Sequence, residues 1–405
     1  MNRIAEQYVK LVLAVGQHDA DYVDAYYGPE NWQTEVQASK KSLSSIKSDA
    51  TLLLAELAHL DTSSAEEMAQ LRRQYLSKQL QSLIARVEIL GGTKLSFDDE
   101  AKALYDAQPP HWTQEQFDEI LNQIDFMLHG KGNLIQRYEE YKKKFVIPIE
   151  KLDKVFSAAI AECRARTMKH IELPSAESFK VEYVKNKSWS GYNWYKGNSY
   201  SIIQVNTDLP IYIDRAVDLA AHEGYPGHHV YNSLLEETMV KNRKWVEFSV
   251  YPLFSPQSLI AEGTANFGIE VAFPGKERLE YERRLLFPLA GMDPDSAEQY
   301  YKLFDLVAKL AYAGNEAARR YLNGQCSKEE AVLWLMNYAL MPKERAEQRV
   351  RFFDQYRSYV INYNLGLDLV RQYIERRGGT VEKPAKRWEE FKRLLSSPRL
   401  PSGLI

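Results

Sequence analysis

Three of the eight histidines in the chain lie within eight residues of one another, around a glutamate. The segment runs from His222 to His229 and reads HEGYPGHH. Zinc hydrolases commonly hold their metal with two histidines and a third ligand, and leave one position open for water. A glutamate beside the first histidine can take the proton of that water. The segment therefore predicts a zinc site with His222 as a ligand and Glu223 as the general base.

The spacing of the histidines differs from the usual one, in which two of them stand four residues apart on one helix face. On an unbroken helix, which rises about 1.5 Å per residue, His222 and His228 would lie roughly 9 Å apart along the axis. Position 226 is a proline, which clashes with the carbonyl of residue 222 in a helix, and the permissive glycines Gly224 and Gly227 flank it. We therefore expect the helix to break over residues 224–227 and to bring the next histidine back beside His222.

The second ligand is predicted to be His228. The apolar residues Val230 and Leu234 would anchor the resumed helix with its first residue turned toward His222. His229 is the alternative ligand. In a further alternative, a Pro-Gly turn separates two helices and the histidines only cap the second one.

Glu262 is the candidate for the third ligand. It lies three residues after Leu259 and seven before Ile269, on a largely apolar helix face where an unpaired charge would be costly. A bound cation would remove that cost, and an arginine partner is the alternative explanation. Asp218 and Asn266 stand four residues from predicted ligands and are candidates to support them.

The elements around the motif are mostly helical. Apolar residues at three- and four-residue spacing predict helices up to about Arg166, and β-branched and aromatic residues predict strands at 178–184 and 199–206. Asp208 and Pro210 predict the start of the helix that leads into the motif. Beyond it we expect helices opening at Ser255-Pro256 and at Ser327, and a long one over 345–376. The fold class is mainly α, with a small β-sheet next to the active-site helix.

Composition excludes several classes of protein. The net charge is -3, and the basic residues are dispersed among acidic ones, so nucleic acid is not an expected partner. Only two cysteines are present, Cys163 and Cys326, which excludes a disulfide framework. No stretch approaches the length of a membrane span, and Glu6 and Lys10 interrupt the N-terminal apolar run. These observations predict a cytoplasmic protein with no membrane partner, and leave its oligomeric state open.

The motifs resemble a family of zinc-peptidase-like proteins named for the domain of unknown function 885. The resemblance rests on His-Glu followed two residues later by Pro-Gly-His-His, from His222 to His229, and on Glu-Gly-x-Ala at Glu262. Weaker similarity extends over most of the chain. Relatives often carry an Asp-x-Gly-Ile/Leu-His string, where this chain has Tyr-Ala-Gly-Asn-Glu at 312–316.

The family is similar in fold to thermostable zinc carboxypeptidases, which implies a large helical metallopeptidase-like body with a deep cleft. Gly227-His228-His229-Val230-Tyr231 resembles the second-ligand segment of those carboxypeptidases and favours His228. The resemblance also implies that the strand at 200–206 could bind an extended peptide along its edge. We expect one domain over residues 1–405, in which residues 1–170 wall the cleft and residues 171–405 form the catalytic part.

These observations predict a zinc-dependent metallohydrolase holding one zinc ion, with a peptide or small amide as substrate. The predicted metal ligands are His222, His228 and Glu262. Arg357 and Tyr363, toward the C-terminus, are candidates to bind the oxyanion or a substrate carboxylate. The alternatives are a zinc hydrolase of a non-peptide amide or ester, and a metal-free binding protein of the same fold.

Overall fold

Helices make up most of the first 168 residues, as the spacing of apolar residues predicts. The computed structural model describes residues 1–405. One short strand, β1 (Val23–Tyr26), interrupts these helices. The helices are α1 (Asn2–Val15), α2 (Glu30–Ser39), α3 (Leu43–Ala58), α4 (Glu67–Leu90), α5 (Phe97–Tyr105), α6 (Gln114–Met127), α7 (Leu134–Lys143) and α8 (Ile149–Met168).

A three-stranded sheet follows, formed by β2 (Ser178–Val184), β3 (Gly191–Tyr195) and β4 (Tyr200–Asn206). The predicted strands are β2 and β4, whereas β3 was not predicted. β4 is the central strand, parallel to β2 and antiparallel to β3. Because β4 is paired on both sides, it cannot bind a peptide along an edge, so that expectation for residues 200–206 is wrong. Within this sheet, β3 has a free edge on the side opposite β4.

The helix that leads into the motif begins later than expected, as α9 (Asp214–Leu219). Asp208, the expected N-cap, accepts hydrogen bonds from the backbone N–H groups of Asn186 and Lys187 instead, at 2.8 and 3.3 Å. It therefore closes a turn of the sheet rather than a helix. α9 continues as a π-helix over Ala220–Gly224, and α10 (His228–Leu235) follows.

The rest of the chain is helical apart from β5 (Val250–Pro252), which pairs with β1. Helices open at Ser255-Pro256 and at the Ser327 capping box, as predicted. The helices are α11 (Pro256–Ala272), α12 (Glu277–Tyr281), α13 (Phe287–Ala290), α14 (Ala297–Ala308), α15 (Tyr312–Leu322), α16 (Lys328–Ala339), α17 (Lys343–Tyr356), α18 (Ile361–Arg376) and α19 (Pro384–Leu395).

The single helix expected over 345–376 is broken at Arg357, where φ is 51°. The buried carboxylate of Glu100 accounts for the break. It accepts hydrogen bonds from Arg357 Nε at 2.7 Å, from Ser358 N at 3.1 Å and from Ser358 Oγ at 2.6 Å. These bonds are available only because the chain leaves the helical conformation there, and buried carboxylates require such partners.

Elements from both ends of the chain share one apolar core. Tyr8 of α1, Leu83 of α4 and Phe353 of α17 belong to the same cluster of buried residues. A second cluster lies beneath the sheet and the motif and includes Val217 of α9, Phe267 of α11 and Phe391 of α19. The shared core is compatible with the single domain predicted from the sequence.

A cleft of about 1700 Å³ opens beside the motif. Its walls come mainly from β3, α9, α11, α14, α17 and α18. The first 170 residues contribute Asp24 and part of the segment 138–146. None of the helices combines the length and the apolar character needed to cross a bilayer.

Candidate metal centre

The helix breaks within the motif, as Pro226 predicts. Tyr225 N donates to Ala220 O at 3.0 Å and Gly227 N donates to Ala221 O at 2.9 Å, which are wider turns than an α-helix makes. A β-carbon at Gly227 would lie 1.9 Å from His222 O, so only glycine fits this approach. The new helix begins at His228. The prediction that residues 224–227 interrupt the helix is confirmed.

The break brings His222 and His228 together beside Glu262. Their Nε2 atoms are 3.1 Å apart, and Glu262 Oε2 lies 3.1 Å from His222 Nε2 and 3.7 Å from His228 Nε2. Ligands at about 2.0–2.1 Å from a tetrahedral zinc lie roughly 3.4 Å from each other, close to these separations. Glu262 Oε2 is buried and makes no hydrogen bond. The three side chains could therefore hold a metal ion.

Neighbouring side chains orient these candidate ligands. Asn266 Oδ1 is 2.9 Å from His222 Nδ1, and Asn266 Nδ2 donates to Tyr363 O at 2.8 Å, which leaves Oδ1 as the acceptor. His222 then donates from Nδ1 and keeps Nε2 free for a metal, as supported imidazole ligands do. The Tyr359 hydroxyl donates to Glu262 Oε1 at 2.7 Å.

Asn266 was a predicted support, but Tyr359 was not. Tyr359 is 97 residues from Glu262, and the break at Arg357 sets its position. Asp218, the other predicted support, forms ion pairs with Arg215 and Arg278 at 3.1 and 2.8 Å instead.

The charges of the site influence one another. Burial lowers the pKa of His222, but the neighbouring carboxylates of Glu262 and Glu223 outweigh burial and raise that pKa to about 9. Burial raises the pKa of Glu262, but the charges of His228 and His222 outweigh it and hold that pKa well below its usual range. A divalent cation in place of the protons would satisfy the same carboxylate.

Glu223 lies within the π-helix, and its side chain lies against β3. The residue is 4% exposed and lines the cleft. Asn193 Nδ2 donates to Glu223 O at 2.7 Å, and a β-carbon at Gly191 would lie 2.9 Å from Glu223 Oε1. Burial is the main cause that raises the pKa of Glu223. A buried carboxylate with a raised pKa can both accept and return a proton near neutral pH.

His229 points away from this site. It is fully buried, with Nε2 3.1 Å from Glu177 Oε2 and Nδ1 2.9 Å from Ser201 Oγ. Glu177 also accepts a hydrogen bond from the Tyr225 hydroxyl at 2.6 Å and is paired with Arg164. His229 and Tyr225 therefore attach both ends of the interrupting loop to the same carboxylate. The role of Glu177 could not be predicted from the sequence, because this residue is 52 positions away from His229.

The structure separates the two predicted substrate-binding residues. Tyr363 lines the cleft, and its hydroxyl makes no hydrogen bond within the chain. Arg357 is paired with Glu100 at 2.7 Å and is not part of the cleft wall. Only Tyr363 is therefore placed where it could contact a substrate. Arg349, one of the cleft-wall residues, was not singled out from the sequence.

Solved structures show where this fold occurs. A protein from Colwellia psychrerythraea, described as a "putative lipoprotein", is 15% identical, with a TM-score of 0.54 over 90% of this chain and 68% of that one. A structure named BsuCP is 11% identical, with a TM-score of 0.51 over 98% of this chain and 89% of that one.

An M32 carboxypeptidase from Deinococcus radiodurans R1 is 12% identical over 97% of this chain and 89% of that one. Its TM-score of 0.34 is too low to establish a shared fold. No model of a protein family matches the chain, and no curated protein matches it. At these identities the similarity concerns the fold alone. The chain is a mainly helical protein that shares the architecture of the Colwellia psychrerythraea protein and of BsuCP, and it carries a His-His-Glu group that could hold a metal ion.

Proposed function

We propose that the protein is a zinc-dependent hydrolase that cleaves peptide bonds. The observation that carries this proposal is the convergence of His222 Nε2, His228 Nε2 and Glu262 Oε2 in an open cleft, next to the carboxylate of Glu223. Two histidines and a glutamate form a donor set that is frequent in catalytic zinc sites.

In the proposed reaction, a bound zinc ion would supply a Lewis acid that polarises the scissile carbonyl and acidifies water. His222, His228 and Glu262 would hold it. Glu223 would accept a proton from the attacking water and return it to the leaving amine. Tyr363 would donate a hydrogen bond to the oxygen that becomes negative, since its hydroxyl has no other partner.

A peptide is the preferred substrate because of β3. Its free edge lies next to Glu223, and its residues Gly191, Tyr192 and Asn193 line the cleft. An extended peptide can pair with such an edge through main-chain hydrogen bonds. The absence of a side chain at Gly191 lets Leu219 and the carboxylate of Glu223 approach the strand closely. The resemblance of the motifs to zinc-peptidase-like proteins supports the same choice.

The general-base role predicts the behaviour of the Glu223→Gln variant. We expect it to bind zinc as tightly as the wild type and to hydrolyse peptides about 10²- to 10⁴-fold more slowly, because only the proton acceptor is lost. Zinc content and kcat on a peptide mixture are the measurements. Glu329→Gln, at an exposed position of α16 outside the cleft, is the matched control. Full activity of Glu223→Gln would exclude this role.

Elemental analysis separates the hydrolase from a metal-free binding protein of the same fold. We expect about one zinc ion per chain in the wild-type protein and loss of zinc in the His222→Ala variant. Comparing the hydrolysis of peptides with that of simple amides and esters separates a peptidase from a hydrolase of another bond.

We propose the cytoplasm as the location of the protein, because Cys163 and Cys326 are free thiols.

A further inference from the structure

Three cations on the cleft wall have no anionic partner. Lys142 of α7 and Arg345 and Arg349 of α17 all line the cleft. None of their side chains forms a hydrogen bond or an ion pair within the chain, and Arg349 Nε is buried without any partner. We call these three residues the cation row. Arginine and lysine side chains that are this enclosed are usually paired, so the row is a candidate binding site.

The row leads from the outer cleft toward the metal centre. Arg349 contacts the face of Tyr363, with its guanidinium carbon 5.6 Å from the ring centroid, and the charge of Glu262 acts on it. Arg345 is one helical turn earlier, about 6 Å away along the axis of α17. Lys142 of α7 lies near Arg345, whose charge acts on it, and its Nζ is 4.0 Å from the ring centroid of Tyr212.

The members of the row repel one another. Burial is the main cause that lowers the pKa of Arg345, and the charges of Arg215 and Arg349 lower it further. The pKa of Lys142 is lowered by burial and then by Arg345 and Arg215, against the opposing charge of Asp214. These effects indicate that Arg345 lies near Arg349 and Lys142, and that the charge of Asp214 acts on both Lys142 and Arg345.

The nearest acidic side chains are engaged elsewhere. Asp218 is paired with Arg215 and Arg278 at 3.1 and 2.8 Å. Asp214 is buried and accepts a hydrogen bond from the Tyr300 hydroxyl. Neither carboxylate forms a hydrogen bond or an ion pair with the cation row, so a directly bound anion would come from outside the chain.

We propose that the cleft selects acidic peptides, whose carboxylates bind to the cation row of Arg349, Arg345 and Lys142. Guanidinium groups suit this task because they bind carboxylates through two parallel hydrogen bonds. The spacing of one helical turn between the two arginines matches carboxylates on neighbouring parts of an extended peptide. This inference rests on the proposed peptidase function and adds the class of its substrate.

The test measures how the zinc-loaded full chain hydrolyses peptides that are identical except at one position, which holds Glu, Gln or Lys. We expect kcat/KM to be at least about 10-fold higher for the Glu peptide than for the Gln peptide, and lowest for the Lys peptide. Arg345→Met and Lys142→Met should each reduce the ratio of Glu to Gln severalfold. Lys343→Met removes one charge from an exposed position of the same helix outside the cleft, and should leave the ratio unchanged.

A binding measurement keeps this test independent of catalysis. Fluorescently labelled Glu and Gln peptides are titrated into zinc-loaded Glu223→Gln protein, with and without Arg345→Met, after circular dichroism has shown that both variants fold. If the Glu peptide binds more tightly than the Gln peptide and Arg345→Met removes this difference, the inference is supported even if no peptide is hydrolysed. Equal binding of the two peptides would overturn it, and peptide hydrolysis without acidic preference would leave the proposed function intact.

Discussion

The protonation state of His222 determines how readily a metal ion can bind at the proposed site. In the metal-free protein its pKa is raised to about 9, because Glu262 and Glu223 outweigh the effect of burial. Zinc binds only the neutral imidazole. At pH 7 a metal ion must therefore displace a proton from this residue.

Zinc binding should accordingly depend on pH. We expect the affinity to rise from pH 6.5 to about 9 and to level off above, because the competing proton is lost over that range. Calorimetric titration at pH 7, in buffers with different enthalpies of ionisation, should show about one proton released per zinc. An affinity that stays constant over this range would contradict the assignment of His222 as a ligand.

The residues of the site could be predicted from the sequence to different degrees. Clustering indicated His222, Glu223 and His228, and a charge on an apolar helix face indicated Glu262. Tyr359 and Arg349 carried no such signal, because only the fold brings them to the cleft. Arg357 was assigned to the wrong contact, since its partner Glu100 is 257 residues away.

At the scale of the element, the interrupted helix over residues 220–228 is what makes a metal site possible. The π-helix and the loop after it allow residues six apart in sequence to place their Nε2 atoms 3.1 Å apart. Such bulges are frequent at functional sites. The pairing of Tyr225 and His229 with Glu177 holds the loop against the sheet.

Gly227→Ala tests the interrupted helix. The added β-carbon would lie 1.9 Å from His222 O and 2.4 Å from Ala221 O, so the loop must shift and His228 with it. We expect a loss of stability of about 1–3 kcal/mol and much weaker zinc binding. Gly314→Ala in α15, where a β-carbon meets nothing within 4 Å, is the control and should be neutral or slightly stabilising. Unchanged zinc affinity in Gly227→Ala would show that the loop does not set the ligand geometry.

The crossing of α11 and α18 supplies the supports of the metal ligands. Gly263 and Gly366 meet there so closely that a β-carbon on Gly263 would lie 2.4 Å from Gly366 O. This contact positions Tyr363 O to accept from Asn266, and the turn before α18 brings Tyr359 to Glu262. The sequence indicated both helices but not their crossing, which depends on contacts about 100 residues apart.

At the scale of the whole molecule, the site connects distant parts of the chain. His222 and His228 come from the segment after the sheet, Glu262 from α11, and Tyr359 from the C-terminal third. The mainly helical class and the small sheet were predicted from the sequence. The free edge of β3 was not predicted. The spacing of hydrophobic residues in a short segment with aromatic residues and glycine does not distinguish a strand from a turn.

A ligand that binds only the folded chain stabilises it as a whole. Zinc at 1,000 times its Kd should add about 4 kcal/mol to the free energy of unfolding. We expect the melting temperature to rise by several degrees on adding zinc to the chelator-treated protein, and to stay constant in His228→Ala. A similar rise in His228→Ala would place the metal elsewhere.

The most direct test of the metal centre is a crystal structure of the zinc-loaded protein with anomalous diffraction measured at the zinc edge. We expect one strong peak at about 2.0–2.2 Å from His222 Nε2, His228 Nε2 and a carboxylate oxygen of Glu262. His229 should remain bound to Glu177, away from the peak. A peak at His229, or fully zinc-equilibrated crystals without a peak between His222, His228 and Glu262, would contradict it.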